Sequence, residues 1–148
     1  MKTFVVGIDD SEPATGALRW ALAESQAHGA RLVVVHAWDW PYVGEFGAFV
    51  NERLATADFD HAAAEVLHAM VAAARDPATD DVEVEERVVR GAPAQALLEA
   101  AAGADLLIVG SRGRGGFTGL LLGSVSQQCA QHATCPVVLV PRTVSGGG

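Results

Sequence analysis

Glycine fills five of the first ten positions in the run Gly110-Ser111-Arg112-Gly113-Arg114-Gly115-Gly116-Phe117-Thr118-Gly119, which continues through Leu120-Leu121-Leu122 to Gly123-Ser124-Val125-Ser126. Backbone without a Cβ can bring its N–H groups close to an anion and adopt positive φ, so a loop of this composition can wrap phosphate with amide donors. Ser124 opens a helical stretch whose free first-turn amides and positive dipole end lie at the same pole. Ser124 and Ser126 add hydroxyl donors. Arg112 and Arg114 sit inside the loop with no acid beside them, which favours an anion over ordinary solvated charge. The chemistry indicated is phosphate binding.

Two familiar phosphate loops fail on residues. The GxxxxGK[ST] pattern needs a lysine, and the one lysine of the chain is Lys2. A dinucleotide GxGxxG should follow the first strand; here Gly113-Arg114-Gly115 follows the fourth strand, and Thr118 stands where the last glycine belongs. Other candidate chemistry is weaker. Cys129-x2-His132-x2-Cys135 offers three zinc ligands, but residues three and six apart on a helix that ends at Pro136 rarely converge, so core packing is preferred. His61 and His68 lie seven apart, roughly 10 Å of helical rise, too far to share a metal, and read as surface or interface residues. Ser111 lacks a GxSxG elbow, so acyl transfer has no support. The acidic stretch Asp80 to Glu86 reads as the solvated face of an edge strand. Asp9, at a strand-to-helix turn, suits a helix cap and a ligand equally well on its residues alone.

The elements that must position the loop follow from periodicity. Runs rich in valine and isoleucine alternate with alanine-rich helical segments, the pattern of βα units building a parallel sheet. Strands are expected at Thr3 to Ile8, Arg31 to Ala37, Val82 to Val88, Asp105 to Val109 and Val137 to Val140. Helices are expected from Ser11, as N-cap, to about His28; from Ala48 to Arg75; from Pro93 to about Ala102; and from Ser124 to a point before Pro136. Five strands and four helices give an open doubly wound α/β sheet with helices on both faces rather than a barrel. Trp38 to Phe49 is the one long irregular connection, and it holds five of the nine aromatic residues. It reads as a loop folded over the sheet edge, ahead of a functional lid or partner surface. One domain over residues 1–142, followed by a flexible tail at 143–148, fits a length of 148 residues.

Net charge is −8, which disfavours nucleic acid and anionic membrane as partners. Its distribution is uneven: residues 1–105 carry −11, whereas 106–148 contain no acid and carry +3 from Arg112, Arg114 and Arg142. A local anion site in an acidic protein is implied. The apolar runs are about four residues long against the roughly 20 that a membrane helix needs, and the N-terminus has no signal-peptide pattern, so the cytoplasm is expected. Cys129 and Cys135 form a poor disulfide framework and are expected as reduced thiols.

The spacing Gly110-x2-Gly113-x9-Gly123-Ser124 resembles the nucleotide loop of ATP-binding universal stress proteins. The resemblance extends over nearly the whole chain: Val6-Gly7-Ile8-Asp9-Asp10-Ser11 is similar to that family's first strand and turn, Leu32 to Ala37 to its second strand, and Cys135 to Val140 to its last. It implies a sheet of the adenine nucleotide alpha hydrolase-like kind, order 3-2-1-4-5, with its switch point between the first and fourth strands. It also implies ATP as ligand, with magnesium. Gly7, Ile8 and Asp9 and, on the second strand, Ala37 would surround adenine and ribose, with Asp9 serving a ribose hydroxyl or the metal. Val109 and Gly110 would flank the sugar. Arg112, Gly113, Gly123, Ser124, Val125 and Ser126 would hold the triphosphate.

A regulatory nucleotide binder of the cytoplasmic stress response is the first functional expectation, and not an enzyme: no lysine stands near the phosphates and no general base is evident. A slow ATPase or self-phosphorylating protein ranks second, and a nucleotide-independent interaction module third. A homodimer is expected through Val137 to Val140, an apolar strand at the sheet edge; the family resembled pairs in the same way.

Overall fold

The computed structural model describes residues 1–8, 12–38, 52–110 and 123–141. Its elements alternate as β1 (Thr3–Ile8), α1 (Glu12–His28), β2 (Arg31–Trp38), α2 (Glu52–Ala74), β3 (Val84–Arg90), α3 (Pro93–Ala101), β4 (Leu106–Gly110), α4 (Ser124–His132) and β5 (Val137–Val140). All strand pairs are parallel, in the order β3-β2-β1-β4-β5. The doubly wound α/β sheet and its strand order are therefore as the sequence and the resemblance implied.

Parallel strands bury both faces, and the alternation of side chains splits the core in two. Phe4, Val6 and Ile8 of β1, with Leu32 and Val34 of β2 and Ile108 of β4, pack against Ala17, Leu18, Ala21 and Leu22 of α1 and Leu67 and Val71 of α2. On the other face Val5, Val33, Val35, Leu107 and Val109 pack against Leu97 and Ala101 of α3 and Cys129 of α4. Each leucine removed from water here contributes about 1.5–3 kcal/mol. One-sided burial explains why these segments are helices. Ala17, Leu18, Ala21, Leu22 and Ser25 recur at helical spacing and are buried, while Arg19, Ala23 and Gln26 between them are exposed.

Helix ends are set locally. Gly29, at φ 64°, ends α1 in the left-handed conformation, and the Ala30 amide donates to the Ser25 carbonyl at 2.9 Å. Pro93 sits in the first turn of α3, where its missing N–H removes no helical hydrogen bond. After α2, the Arg75 guanidinium gathers three backbone carbonyls, donating to Thr79 at 3.1 Å, Asp80 at 3.0 Å and Val82 at 3.0 Å. The Asp76 carboxylate meanwhile accepts from the amides of Ala78 at 2.8 Å and Thr79 at 3.1 Å. This latch occupies the backbone of residues 79–82 and so moves the third strand two residues beyond the expected Val82 to Val88. Its far end, Arg90, pairs in register with Trp38. The fourth strand likewise starts after Asp105, whose side chain accepts the Thr3 amide at 2.8 Å. The expected cap Ser11, residues 48–51 of the second helix and most of the aromatic segment lie outside the described residues.

The acidic stretch Asp80 to Glu86, which runs into β3, does more than meet water. Arg31 of β2 pairs with Glu85 and, at 3.5 Å, with Glu83, and Glu85 also accepts from Arg87. The Arg87 hydrogen bond above all holds the Glu85 carboxyl below its ordinary range; desolvation opposes it, and the charge of Arg87 with the hydrogen bond and charge of Arg31 add to the lowering. On the other face of β3, Glu86 meets His68 at 3.1 Å, and Arg90 meets Asp60 at 3.0 Å. His61 and His68 are both exposed, as expected.

Ser25 is an exception to polar satisfaction: it is 1% exposed and its Oγ has no hydrogen-bond partner among the described residues. Its replacement removes an unmet donor from the α1 core. Ser25→Ala is expected to leave stability unchanged or raise it by up to about 1 kcal/mol, measured as the urea midpoint, where most buried substitutions lower it.

Candidate functional site

In an open parallel sheet the ligand crevice forms where neighbouring strands send their chains to opposite faces. Here β1 leads to α1 on one face, and β4 leads to α4 on the other. The registers mark the place where they part. β1 pairs with β2 as far as Ile8/His36, and β4 with β5 as far as Gly110/Val140, but β1 and β4 pair only from Phe4/Leu106 to Val6/Ile108. Gly7 and Ile8 on one side, and Val109 and Gly110 on the other, lie beyond the last shared pair. Because α4 returns the chain from β4 to the parallel β5, its N-terminus stands at this same carboxyl edge.

Among the described residues that N-terminus has no side-chain cap. Gly123 is the N-cap, at φ −74° and ψ 169°, with no acid in the first turn. The amides of Ser124, Val125 and Ser126 therefore face the edge with the positive end of the helix behind them. Ser124 is exposed, and Val125 is half-buried against the α3–α4 core. Ser126 is 2% exposed, and its Oγ donates to the Gly123 carbonyl at 3.0 Å, alongside the Gln127 amide at 2.9 Å. That bond lies within the first turn of α4. Among the described residues, a parted pair of strand ends and a helix N-terminus with no acid in its first turn share this edge, an arrangement able to receive an anionic group.

The remaining sequence-derived positions divide as follows. Ile8 and Val109 are buried, each in a different core, so only their backbone faces the edge. Ala37 is half-buried at the end of β2, in register with Val89. Gly7 lies under α3: a Cβ there would stand 2.5 Å from Leu97 Cδ1 and 2.6 Å from Cδ2. Leu97 was not among the residues read from sequence. Its signal was the odd-numbered face shared by Val5 and Gly7, which leaves a gap for a large side chain opposite. Asp9, Arg112, Gly113 and Arg114 lie outside the described residues.

Among the described residues no group of three or more His, Cys, Asp or Glu side chains could hold a metal. Cys129 is fully buried and Cys135 half-buried, both as free thiols, and His132 is exposed. Burial raises the Cys129 pKa; burial first, then the Asp105 carboxylate, raises that of Cys135. In native protein at pH 8 Cys135 is expected to react with iodoacetamide slowly and Cys129 only on unfolding, as read by mass spectrometry. Asp105→Asn is expected to speed the Cys135 reaction, because the neighbouring negative charge is gone; an unchanged rate would leave burial as the sole cause.

The family model for the universal stress protein family matches residues 1–141. A universal stress protein of Thermus aquaticus is 41% identical over 145 residues, covering 94% of this chain and 98% of the relative. One from Mycolicibacterium smegmatis is 41% identical over 140 residues, covering 93% of this chain and 45% of the relative, so the chain spans just under half of that longer protein. A crystal structure of a universal stress protein in complex with cAMP is 30% identical with a TM-score of 0.67, covering 95% of this chain and 97% of that one. No helix among the described residues is long and apolar enough to cross a membrane.

Proposed function

Because the chain belongs to the universal stress protein family, we propose that it is a regulatory nucleotide binder of the cytoplasmic stress response, taking ATP with magnesium where β1 and β4 part. The observation that carries the reading is the coincidence, at one edge of the sheet, of that parting with the uncapped N-terminus of α4. A relative solved with cAMP supports an adenine ligand. In this reading Gly7, Ile8 and Ala37 border adenine and ribose, and Asp9 serves a ribose hydroxyl or magnesium. Val109 and Gly110 flank the sugar. Arg112, Gly113, Gly123, Ser124, Val125 and Ser126 hold the phosphates, Ser126 through its amide since its hydroxyl is engaged with Gly123. Magnesium, when bound, offsets phosphate charge. The chain's own part is to orient the nucleotide and offer it amide and guanidinium donors. The whole of residues 1–142 acts as one domain in this reading, and occupancy biases a partner surface rather than driving turnover.

The test is to release and identify any nucleotide that co-purifies, then titrate magnesium-ATP against wild type and Gly113→Ala by calorimetry. Adenine nucleotide is expected, with Gly113→Ala weakening affinity by about tenfold or more. No nucleotide released and no binding at millimolar ATP would sink the reading.

Pairing of two copies through β5 belongs to the same proposal. Its four residues, Val137, Val138, Leu139 and Val140, are all half-exposed on a strand whose described neighbour is β4 alone. Light scattering at micromolar concentration is expected to give about twice the 15.3 kDa chain mass; a monomer mass would contradict it.

A further inference from the structure

We propose that Leu97 is a positioning residue for the nucleotide site, acting through the absent side chain of Gly7; the inference rests on the reading of that site given above. Gly7 is the second residue from the end of β1 and the first beyond the last β1–β4 pair. On the α3 face of the sheet its backbone is not covered by a side chain of its own but by Leu97. An ideal Cβ on Gly7 would meet three Leu97 atoms at once: Cδ1 at 2.5 Å, Cδ2 at 2.6 Å and Cγ at 3.1 Å. No small rotation of one methyl group clears all three. Leu97 is itself 4% exposed and belongs to the core of Val5, Val35, Val109 and Cys129, so it cannot swing into water.

The position of this contact gives it consequence. α3 packs on β1, on β2 and on α4, and α4 carries the amides of the candidate phosphate pole. Leu97 therefore sits where the nucleoside side of the site, the end of β1, meets the helix that supports the phosphate side. Glycine at position 7 lets α3 come down onto bare backbone; a methyl group would lift α3 and with it the seat of α4. Packed interiors transmit such a shift rather than absorb it. In this account glycine is required at position 7 for the approach of α3, and not for the approach of the ligand.

The test is a double-mutant cycle on the intact chain, reading magnesium-ATP affinity by calorimetry and Tm by thermal unfolding. Gly7→Ala is expected to bind about tenfold more weakly, with a lower Tm. Leu97→Ala alone lowers Tm by opening a cavity. Combining them returns affinity to within about threefold of wild type, because the added methyl group enters the space that Leu97 has left. A purely structural role would lower Tm and leave the affinity of the folded fraction unmoved. Should Gly7→Ala fail to fold, Leu97→Ala is compared with Gly7→Ala/Leu97→Ala, both free of the clash; the double variant is expected to bind at least as tightly and melt higher. Weak binding by Gly7→Ala that persists in the double variant would overturn the inference, since the methyl group would then be obstructing the ligand itself. So would wild-type affinity in Gly7→Ala. Failure of wild type to bind adenine nucleotide removes the site reading as well, and is a different outcome from binding without rescue.

Discussion

The middle position of β1 constrains the rest of the molecule. It must pair on both sides, bury side chains on both faces and still release its neighbour β4 before its own end. The first two demands explain why Phe4, Val5, Val6 and Ile8 are all large and apolar, each buried in one core or the other. The third cannot be met by pairing at all. It follows from the chain leaving β1 and β4 toward opposite faces, so the opening in the sheet is a product of connectivity rather than of any residue that forces the strands apart. With the ladder shared over three pairs only, the start of both strands needs another tie. Thr3 and Asp105 provide it: the Thr3 amide donates to the Asp105 carboxylate, and the Asp105 amide to the Thr3 carbonyl at 2.8 Å.

Much of the fold was legible because each strand carries its own hydrophobic signature. β1 and β5 span the residues expected of them, Thr3–Ile8 and Val137–Val140. The third strand was misplaced because Val82 looks like strand: it is apolar and buried, yet its carbonyl belongs to the Arg75 latch. An arginine reaching seven residues ahead to a backbone oxygen leaves no periodic trace. Strand order came from resemblance, since alternating βα units fix parallel pairing but not which strand lies beside which.

The site was legible as a composition of glycines and hydroxyls, but not as a geometry. Ser126 illustrates the difference. A serine near a helix N-terminus can donate to a ligand or to its own turn, a difference that residue type does not carry; here its Oγ donates to the Gly123 carbonyl. Gly7 is the converse case. Its residue type marks a close approach, yet whether a ligand or another element makes that approach depends on what α3 places opposite, and Leu97 is far away in sequence. Val109 and Ile8, neighbours of the opening, turned out to contribute side chains to the interior and backbone to the edge.

The two rims of the sheet are chemically unlike. At β3 the side chains are tied up as Glu85 with Arg31 and Arg87, Glu86 with His68, and Arg90 with Asp60. A strand arriving there would have to strip water from charges already satisfied, and would gain little apolar cover in return. At β5 it would cover three valines and a leucine. Among the described residues the sheet thus has a charged rim at β3 and an apolar one at β5. A strand added at β5 would bury apolar side chains, and one added at β3 would have to desolvate paired charges, so the two rims differ in what an added strand would gain.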